Sequence, residues 1–213
     1  MKKNLKNSIL KTAVHDFKEY GYENTTMRQI ASQLKLAVGN VNYYYAKKED
    51  IVKDYHNGVM DAFLTEVLSR CQDQNPWITY FMAEYSFMSY IAHDIPTRNL
   101  YKSFINVPAL RDFYVERHQQ LFLSVFNDVL PSDENEIFLS TLAMCSLEFD
   151  LIGKFDLYQD VWDFDDVITH IFETRLSFLH FRISEYRDLL SKAVELGKNS
   201  EFMSEALLQI PEY

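Results

Sequence analysis

The sequence predicts an all-α protein: an N-terminal three-helix head bearing a helix-turn-helix, followed by a larger helical body. Three observations predict it. Apolar residues recur at helical spacing through nearly the whole chain. The prolines sit in polar, turn-like settings (Pro76 in QDQNPW, Pro96 in HDIPTR, Pro108 in INVPAL, Pro131 in VLPSDEN, Pro211 near the end), where each can open a helix or stop the one before. Across the 213 residues there is no Asn-Gly or Asp-Gly hairpin signal and no clear alternating run.

The first helix is expected over residues 3–20. Leu5, Ile9, Ala13, Val14 and Phe17 mark one apolar stripe, with Leu10 beside it. Gly21 follows as a stop, since glycine takes the left-handed conformation cheaply. Thr26 with Gln29 three residues on is a capping box and opens a short second helix. Met27, Ile30, Ala31 and Leu34 form its inner side. After a turn at Lys35-Leu36, a third helix runs from Val38 to Tyr45. A long fourth helix follows from Lys48 to Cys71. Further helices are expected at 77–94, 97–106, 108–130, 133–158, 164–181, 183–197 and 200–210, with no internal repeat.

Short second and third helices joined by a tight turn, behind a supporting first helix, make the helix-turn-helix arrangement. Ala31 is small where two helices must approach closely, and Leu36 plugs the turn. Val41 and Tyr45, four apart, put one face of the third helix into the core. The remaining face carries Val38, Gly39, Asn40, Asn42 and Tyr43. Asparagine can bond an adenine edge bidentately in the major groove, and tyrosine hydroxyls and lysines suit phosphates.

Charge agrees with this division. The chain carries −10 overall, but residues 1–50 hold nine Lys/Arg against five Asp/Glu, a net +4, and the remainder carries −14. A basic head on an acidic body can orient the molecule on a polyanion. Hydrophobic residues make up 47% and charged residues 24%, a globular balance, and the 15% aromatic share suggests ring-lined interiors. No apolar run approaches the roughly 20 residues of a membrane helix. The start MKKNLKNSILKTAVHDF lacks the unbroken apolar stretch of a signal peptide. Cys71 and Cys145 fit no metal or redox spacing, so free thiols in a reducing cytoplasm are expected.

The stretch from Ile9 to Val52 resembles the DNA-binding domain of the tetracycline-repressor (TetR) family of transcriptional regulators. The resemblance is carried by Ala13 and Phe17, Gly21-Tyr22, Thr25-Thr26, Ile30-Ala31, Val38-Gly39-Asn40-Val41, Tyr43-Tyr44-Tyr45, Lys48-Glu49 and Ile51. It implies a DNA-binding head over 1–47 and an effector-binding and dimerisation body over 48–213. It places Thr26 and Arg28 by the phosphate backbone, with Arg28 near a base. Val38, Gly39, Asn40 and Asn42 would face the groove, and Tyr43, Tyr44 and Lys48 would clamp phosphates. Tyr45 stands where the family usually has a packed phenylalanine. The sequence departs from the pattern at Lys35, where the family's turn glycine would be, at Ala37, which removes the usual serine cap, and at Asn42. Lys35 must either accept a left-handed conformation at about 1 kcal/mol or bend differently. The missing cap loses about 1 kcal/mol.

Beyond residue 52 no motif is matched. The family implies a homodimer joined through its last long helices, on a palindromic double-stranded operator, with half-sites in successive major grooves. Ile137, Leu142, Cys145 and Phe149, broadened by Leu147, Leu151, Ile152 and Phe155, give wide apolar faces; Val167, Ile168, Ile171, Phe172, Leu176 and Leu179 add another. A subunit interface or a larger monomer core would each cover them. The ring-rich middle suggests a hydrophobic effector pocket from Tyr80, Phe81, Glu84, Tyr85, Met88, Tyr101, Phe104, Phe113, Tyr114, His118, Phe122 and Glu148. Glu84, Glu148 and Asp150 lie in apolar sequence and need partners: Arg111, Arg117 or another internal base, or a cationic effector. His93 and His118 read as hydrogen-bonded structural residues. His170 and Glu173 have metal-compatible spacing but are a lone pair, so neither metal nor cofactor is expected. No nucleophile triad, phosphate-cradling glycine loop or paired-carboxylate motif points to an enzyme. The expectation is a cytoplasmic dimeric repressor released by a small hydrophobic effector, with a body that answers to a protein partner as the alternative.

Overall fold

The computed structural model describes residues 2–71, 75–126 and 133–198. These form α1 (Lys2–Tyr20), α2 (Met27–Gln33), α3 (Val38–Tyr44), α4 (Lys48–Arg70), α5 (Pro76–His93), α6 (Ile95–Asn106), α7 (Pro108–Phe126), α8 (Glu134–Leu151), α9 (Phe164–Phe178) and α10 (Ile183–Gly197), with a 3-10 turn at Phe155–Leu157. No strand occurs among the described residues. The helix expected at 200–210, the last residues of the one expected at 108–130, and Pro131 and Pro211 lie outside them.

Local chemistry explains the head. The Thr26 hydroxyl accepts from the Gln29 amide (3.2 Å), and the Gln29 side-chain oxygen accepts from the Thr26 amide (2.7 Å), closing the capping box. At the end of α2, Lys35 takes φ 55°, the Lys35 amide donates to Ser32, and the Leu36 amide reaches back to Ala31 (2.8 Å). This is the glycine-type helix stop made by a lysine, so the departure at position 35 is absorbed as left-handed strain. Ala37 caps α3 without a side-chain hydrogen bond. Gly21 turns the chain at φ 89°. Ile9, Leu10, Ala13, Val14 and Phe17 of α1 close over Ile30, Ala31, Val41 and Tyr45.

The body is built around α5, which packs against α4, α6, α7, α9 and α10. Every residue of α5 from Trp77 to Met88 is buried. Such a helix needs no amphipathic stripe, because it has neighbours on all sides. α8 packs mainly on α9 and α7.

Two expected helices end early, and the cover of the apolar stripes proves largely internal. The helix expected at 133–158 stops at Leu151: Gly153 donates to the Glu148 carbonyl (3.1 Å), and a Cβ there would come within 2.5 Å of the Phe149 carbonyl oxygen. The helix expected at 164–181 stops at Phe178, because His180 turns left-handed (φ 59°) and the Phe181 amide caps Leu176 (3.0 Å). Most of the two apolar stripes, Ile137, Cys145, Phe149, Ile152, Phe155, Val167, Ile168, Ile171, Phe172, Leu176 and Leu179, are buried within the chain itself. What α8 and α9 leave outside is a smaller apolar set, Phe138 (44% exposed), Leu139 (52%) and Phe178 (46%).

Candidate nucleic-acid interface and body interior

α3 presents its outer face because its inner face is fixed. Val41 and Tyr45 are buried, and the Tyr45 hydroxyl donates to Asp54 on α4 (2.6 Å). Gly39, Asn40, Asn42 and Tyr43 are left exposed, Tyr43 at 71%. Glycine inside a helix costs about 1 kcal/mol relative to alanine. A Cβ at Gly39 would meet no other atom within 4 Å, so nothing inside the chain demands a glycine there. A bare backbone on an exposed recognition face lets something outside come close.

The other expected DNA residues divide. Thr26 and Arg28 are exposed at the start of α2. Val38 is half-buried against the head core, and Tyr44 is too, with its ring edge-on to Tyr43 at 5.0 Å. Lys48 differs from its expected role: its ammonium turns back into the head, donating to the Tyr22 carbonyl (2.7 Å) and lying 4.2 Å over the Tyr22 ring. It braces α4 against the α1–α2 corner instead of standing free for a phosphate.

Sequence reasoning missed the residue that aligns α2 on α1. Asp16 is buried, and its carboxylate accepts from the Gln33 side chain (2.9 Å). Its backbone carbonyl accepts from the buried Thr25 hydroxyl (3.2 Å). An acid within the apolar stripe of α1 was the available signal.

In the body, Tyr80, Phe81, Glu84, Tyr85, Met88, Tyr101, Phe104, Tyr114, His118, Phe122 and Glu148 are all buried, whereas Phe113 is half-buried; Tyr85 turns away from the others, its hydroxyl donating to Asp165 on α9 and its ring lying beside Phe164 and Gly197. The others fill the expected pocket with their own side chains. A cavity among the described residues there, of about 10 Å³, is lined by Met88, Tyr101, Tyr114, Glu148 and Gly153, among others. That is room for about one water. A larger surface groove of about 330 Å³ lies between α4 and α7, with Asp61, Phe113 and Arg117 on its walls.

Five helices send an acidic or basic side chain into this interior: His56, Glu84, His118, Glu148 and Arg175, all buried. His118 Nδ1 meets Glu84 Oε1 at 3.0 Å, which supplies the internal base expected for Glu84. Glu148 pairs with neither named arginine, since Arg117 pairs with Asp61 and Arg111 lies over the Phe149 ring; the internal bases that act on it are His118 and Arg175. Asp150 is exposed and pairs with Lys154. Glu84 Oε2, His118 Nε2, His56 Nε2 and two nitrogens of Arg175 have no hydrogen-bond partner, and the Glu148 carboxylate has only the Tyr114 hydroxyl near it. Arg175 rests on the Phe122 ring (3.9 Å) and donates weakly to Met144 Sδ (3.6 Å). Unpartnered buried charge is costly, so the group is held against its own tendency to hydrate.

The protonation states follow from this crowding. Burial disfavours charge on His118, yet the Glu84 and Glu148 carboxylates raise its pKa above that of an ordinary imidazole. Burial pushes the Glu148 carboxyl up to about 7, with His118 opposing and Glu84 reinforcing. His56 is driven well below by burial, then by His118 and Arg117. The Cys145 thiol is pushed well up by burial and by both carboxylates.

Residues 9–55 match the family described as bacterial regulatory proteins, tetR family. A curated relative is the HTH-type negative transcriptional regulator IcaR of the biofilm operon icaADBC from Staphylococcus epidermidis, 25% identical over 128 residues, or 59% of this chain and 67% of that one. Among solved structures, RolR without ligand superposes with a TM-score of 0.56 at 14% identity, covering 86% of this chain and 95% of that chain. Mycobacterium smegmatis AmtR gives a looser likeness, TM-score 0.45 at 18% identity over 89% and 92%. The RolR likeness is one of fold. Among the described residues no helix is long and apolar enough to cross a membrane.

Proposed function

Since the chain is a TetR-family DNA-binding transcriptional regulator, we propose that it acts as a homodimeric repressor on a palindromic operator, released when its body changes conformation. The observation that carries this is the exposed face of α3, with Gly39, Asn40, Asn42 and Tyr43 turned outward over a buried Val41–Tyr45 anchor. The asparagines read base edges from the major groove, and Gly39 lets the backbone approach the duplex. Thr26, Arg28, Tyr43 and the edge of Tyr44 grip phosphates, while Lys48 acts as a brace. The head is assigned to 1–47 and the body to 48–213.

Two links join them. α4 begins in the head, where Ile51, Val52 and Tyr55 are buried, and carries His56 into the body interior. The C-terminal half of α1 reaches the α5–α6 corner through Lys18 and Tyr90. A change in the body alters head spacing through both, and two half-sites about 34–36 Å apart tolerate little such change.

A drug-sized hydrophobic effector would need a pocket of several hundred cubic ångströms. The closed interior supplies that only if α5, α7 and α8 part, and the effector must favour the parted form. The second reading, a body that answers to a protein partner, is favoured by that same closure. A thermal-shift screen with hydrophobic cations and acyl ligands separates the two, since stabilisation requires binding to the folded chain.

The DNA reading is tested by mobility shift on the promoter of its own gene and its neighbours. Sequence-specific binding that weakens steeply as salt rises is expected. Binding indifferent to sequence or to salt would overturn it.

A further inference from the structure

We propose that His118, Cys145 and Glu148 form a buried site for a thiophilic divalent cation, with zinc the best chemical match. One ligand atom from each lies within 4.8 Å of the others. Cys145 and Glu148 are three apart on α8 and so share a face; His118 approaches from α7. A tetrahedral zinc site with one sulfur, one nitrogen and one oxygen holds these atoms roughly 3.5 Å apart. The three ligand atoms therefore need only close up by side-chain rotation.

What marks this as a site is the state of the ligand atoms. His118 Nε2 is buried without a partner, and the buried Glu148 carboxylate has only the Tyr114 hydroxyl near it. Glu84 takes the other ring nitrogen of His118 at 3.0 Å. A carboxylate on Nδ1–H fixes the tautomer that leaves the Nε2 lone pair free, the usual outer support of a metal-binding histidine. Glu84 is thus a positioning residue, and its unpartnered Oε2 also faces buried surroundings. A sulfur, imidazole and carboxylate set selects zinc over magnesium or calcium.

Zinc on the Cys145 sulfur replaces its thiol proton, and zinc on His118 takes the Nε2 lone pair, so binding releases protons and weakens as pH falls.

The test uses full-length, metal-stripped protein and needs no DNA, so its result is independent of the repressor reading. Zinc is titrated against a chromophoric chelator, cobalt is used as a spectroscopic probe, and protons are counted in weak buffer. Expected are one ion per chain, release of at least the Cys145 thiol proton, and a thiolate-to-cobalt charge-transfer band. Cys145→Ser should abolish that band. His118→Gln should weaken zinc at least a hundredfold and Glu84→Gln by about ten- to a hundredfold. Should His118→Gln fail to fold, as judged by circular dichroism, Cys145→Ser with cobalt decides alone. No stoichiometric binding, or binding that Cys145→Ser leaves intact, overturns the proposal, the latter pointing to surface histidines such as His170 and His180.

Discussion

The Lys18 ammonium at the end of α1 lies 3.3 Å from the Tyr90 hydroxyl of α5, joining the head directly to the body. That hydroxyl is a junction. Tyr55 on α4 meets it at 3.1 Å and Thr97 on α6 donates to it at 3.3 Å. Lys18 also lies near Asp94, at 3.7 Å. Tyr90→Phe removes the shared oxygen from three partners at once. It should cost about 1–2 kcal/mol in urea unfolding, since a typical hydrogen bond contributes about 1 kcal/mol. Amides in the last turns of α1 should exchange faster. Unchanged exchange there would mean that α4 alone couples head to body.

Gly39 is a test of what the recognition face is for. With open space around its would-be Cβ, Gly39→Ala should stabilise the head by about 0.5–1 kcal/mol through helix propensity. The same substitution should weaken operator binding, because the added methyl stands between backbone and duplex. Thermal unfolding and mobility shifts on one preparation read both effects. A stabilised variant with full operator affinity would take Gly39 off the DNA.

Asn42 and Tyr43 should fail in different ways. Asn42→Ala should lose about 1–3 kcal/mol on the true operator and little on unrelated DNA, relaxing sequence choice. Tyr43→Phe removes a hydroxyl suited to phosphate and should weaken both equally. The comparison is a pair of titrations at fixed salt, since affinities at different salt concentrations are not comparable.

His56 should make the metal-free protein acid-sensitive. Its folded pKa lies well below the ordinary value of 6.5, chiefly through burial. The unfolded chain therefore takes up a proton near pH 6.5 that the folded chain refuses. Stability contributed by neutral His56 is complete above pH 6.5 and is lost as pH falls below it, by up to about 1.4 kcal/mol per unit. His118 has a raised pKa and works in the opposite sense, but it is common to both proteins compared. The wild type should lose stability faster than His56→Phe between pH 6.5 and 5 in urea titrations. Parallel curves would show that His56 charges freely in the fold.

The head was legible because its determinants are local. The Thr26–Gln29 capping box, the stop at Gly21 and the spacing of Val41 and Tyr45 are each read within about four residues, whereas the left-handed turn of Lys35 was one of two open alternatives. Asp16 and Lys48 were not legible, because their partners, Gln33 and Tyr22, lie 17 and 26 positions away. The same reason hid the body interior: the His118–Glu84 pair spans 34 positions, and Arg175 meets Met144 across 31. Arg175 did leave a trace, a lone arginine in the run IFETRLSFLHF, but nothing nearby indicates whether it points in or out. The apolar stripes of α8 and α9 were correctly seen as needing cover. Periodicity does not say whether that cover is α5 and α7 or another subunit.

The residue left over from that cover is where a second copy should sit. His180 Nε2 lies 3.5 Å from Glu136, so the end of α9 is beside the start of α8, and Phe178 shares that end with Phe138 and Leu139. Neighbouring exposed apolar residues on a rigid helix pair are costly in water and suit a self-complementary dimer contact. Leu139→Glu with Phe178→Glu places like charges opposite each other across a two-fold interface, and neither residue is buried in the chain's own core. The double variant should sediment as a monomer and lose high-affinity operator binding, because each head then binds its half-site alone. Its helical circular dichroism should be unchanged. A double variant that stays dimeric would move the interface off this face, with the exposed Leu157, Val161 and Trp162 as the next surface to examine.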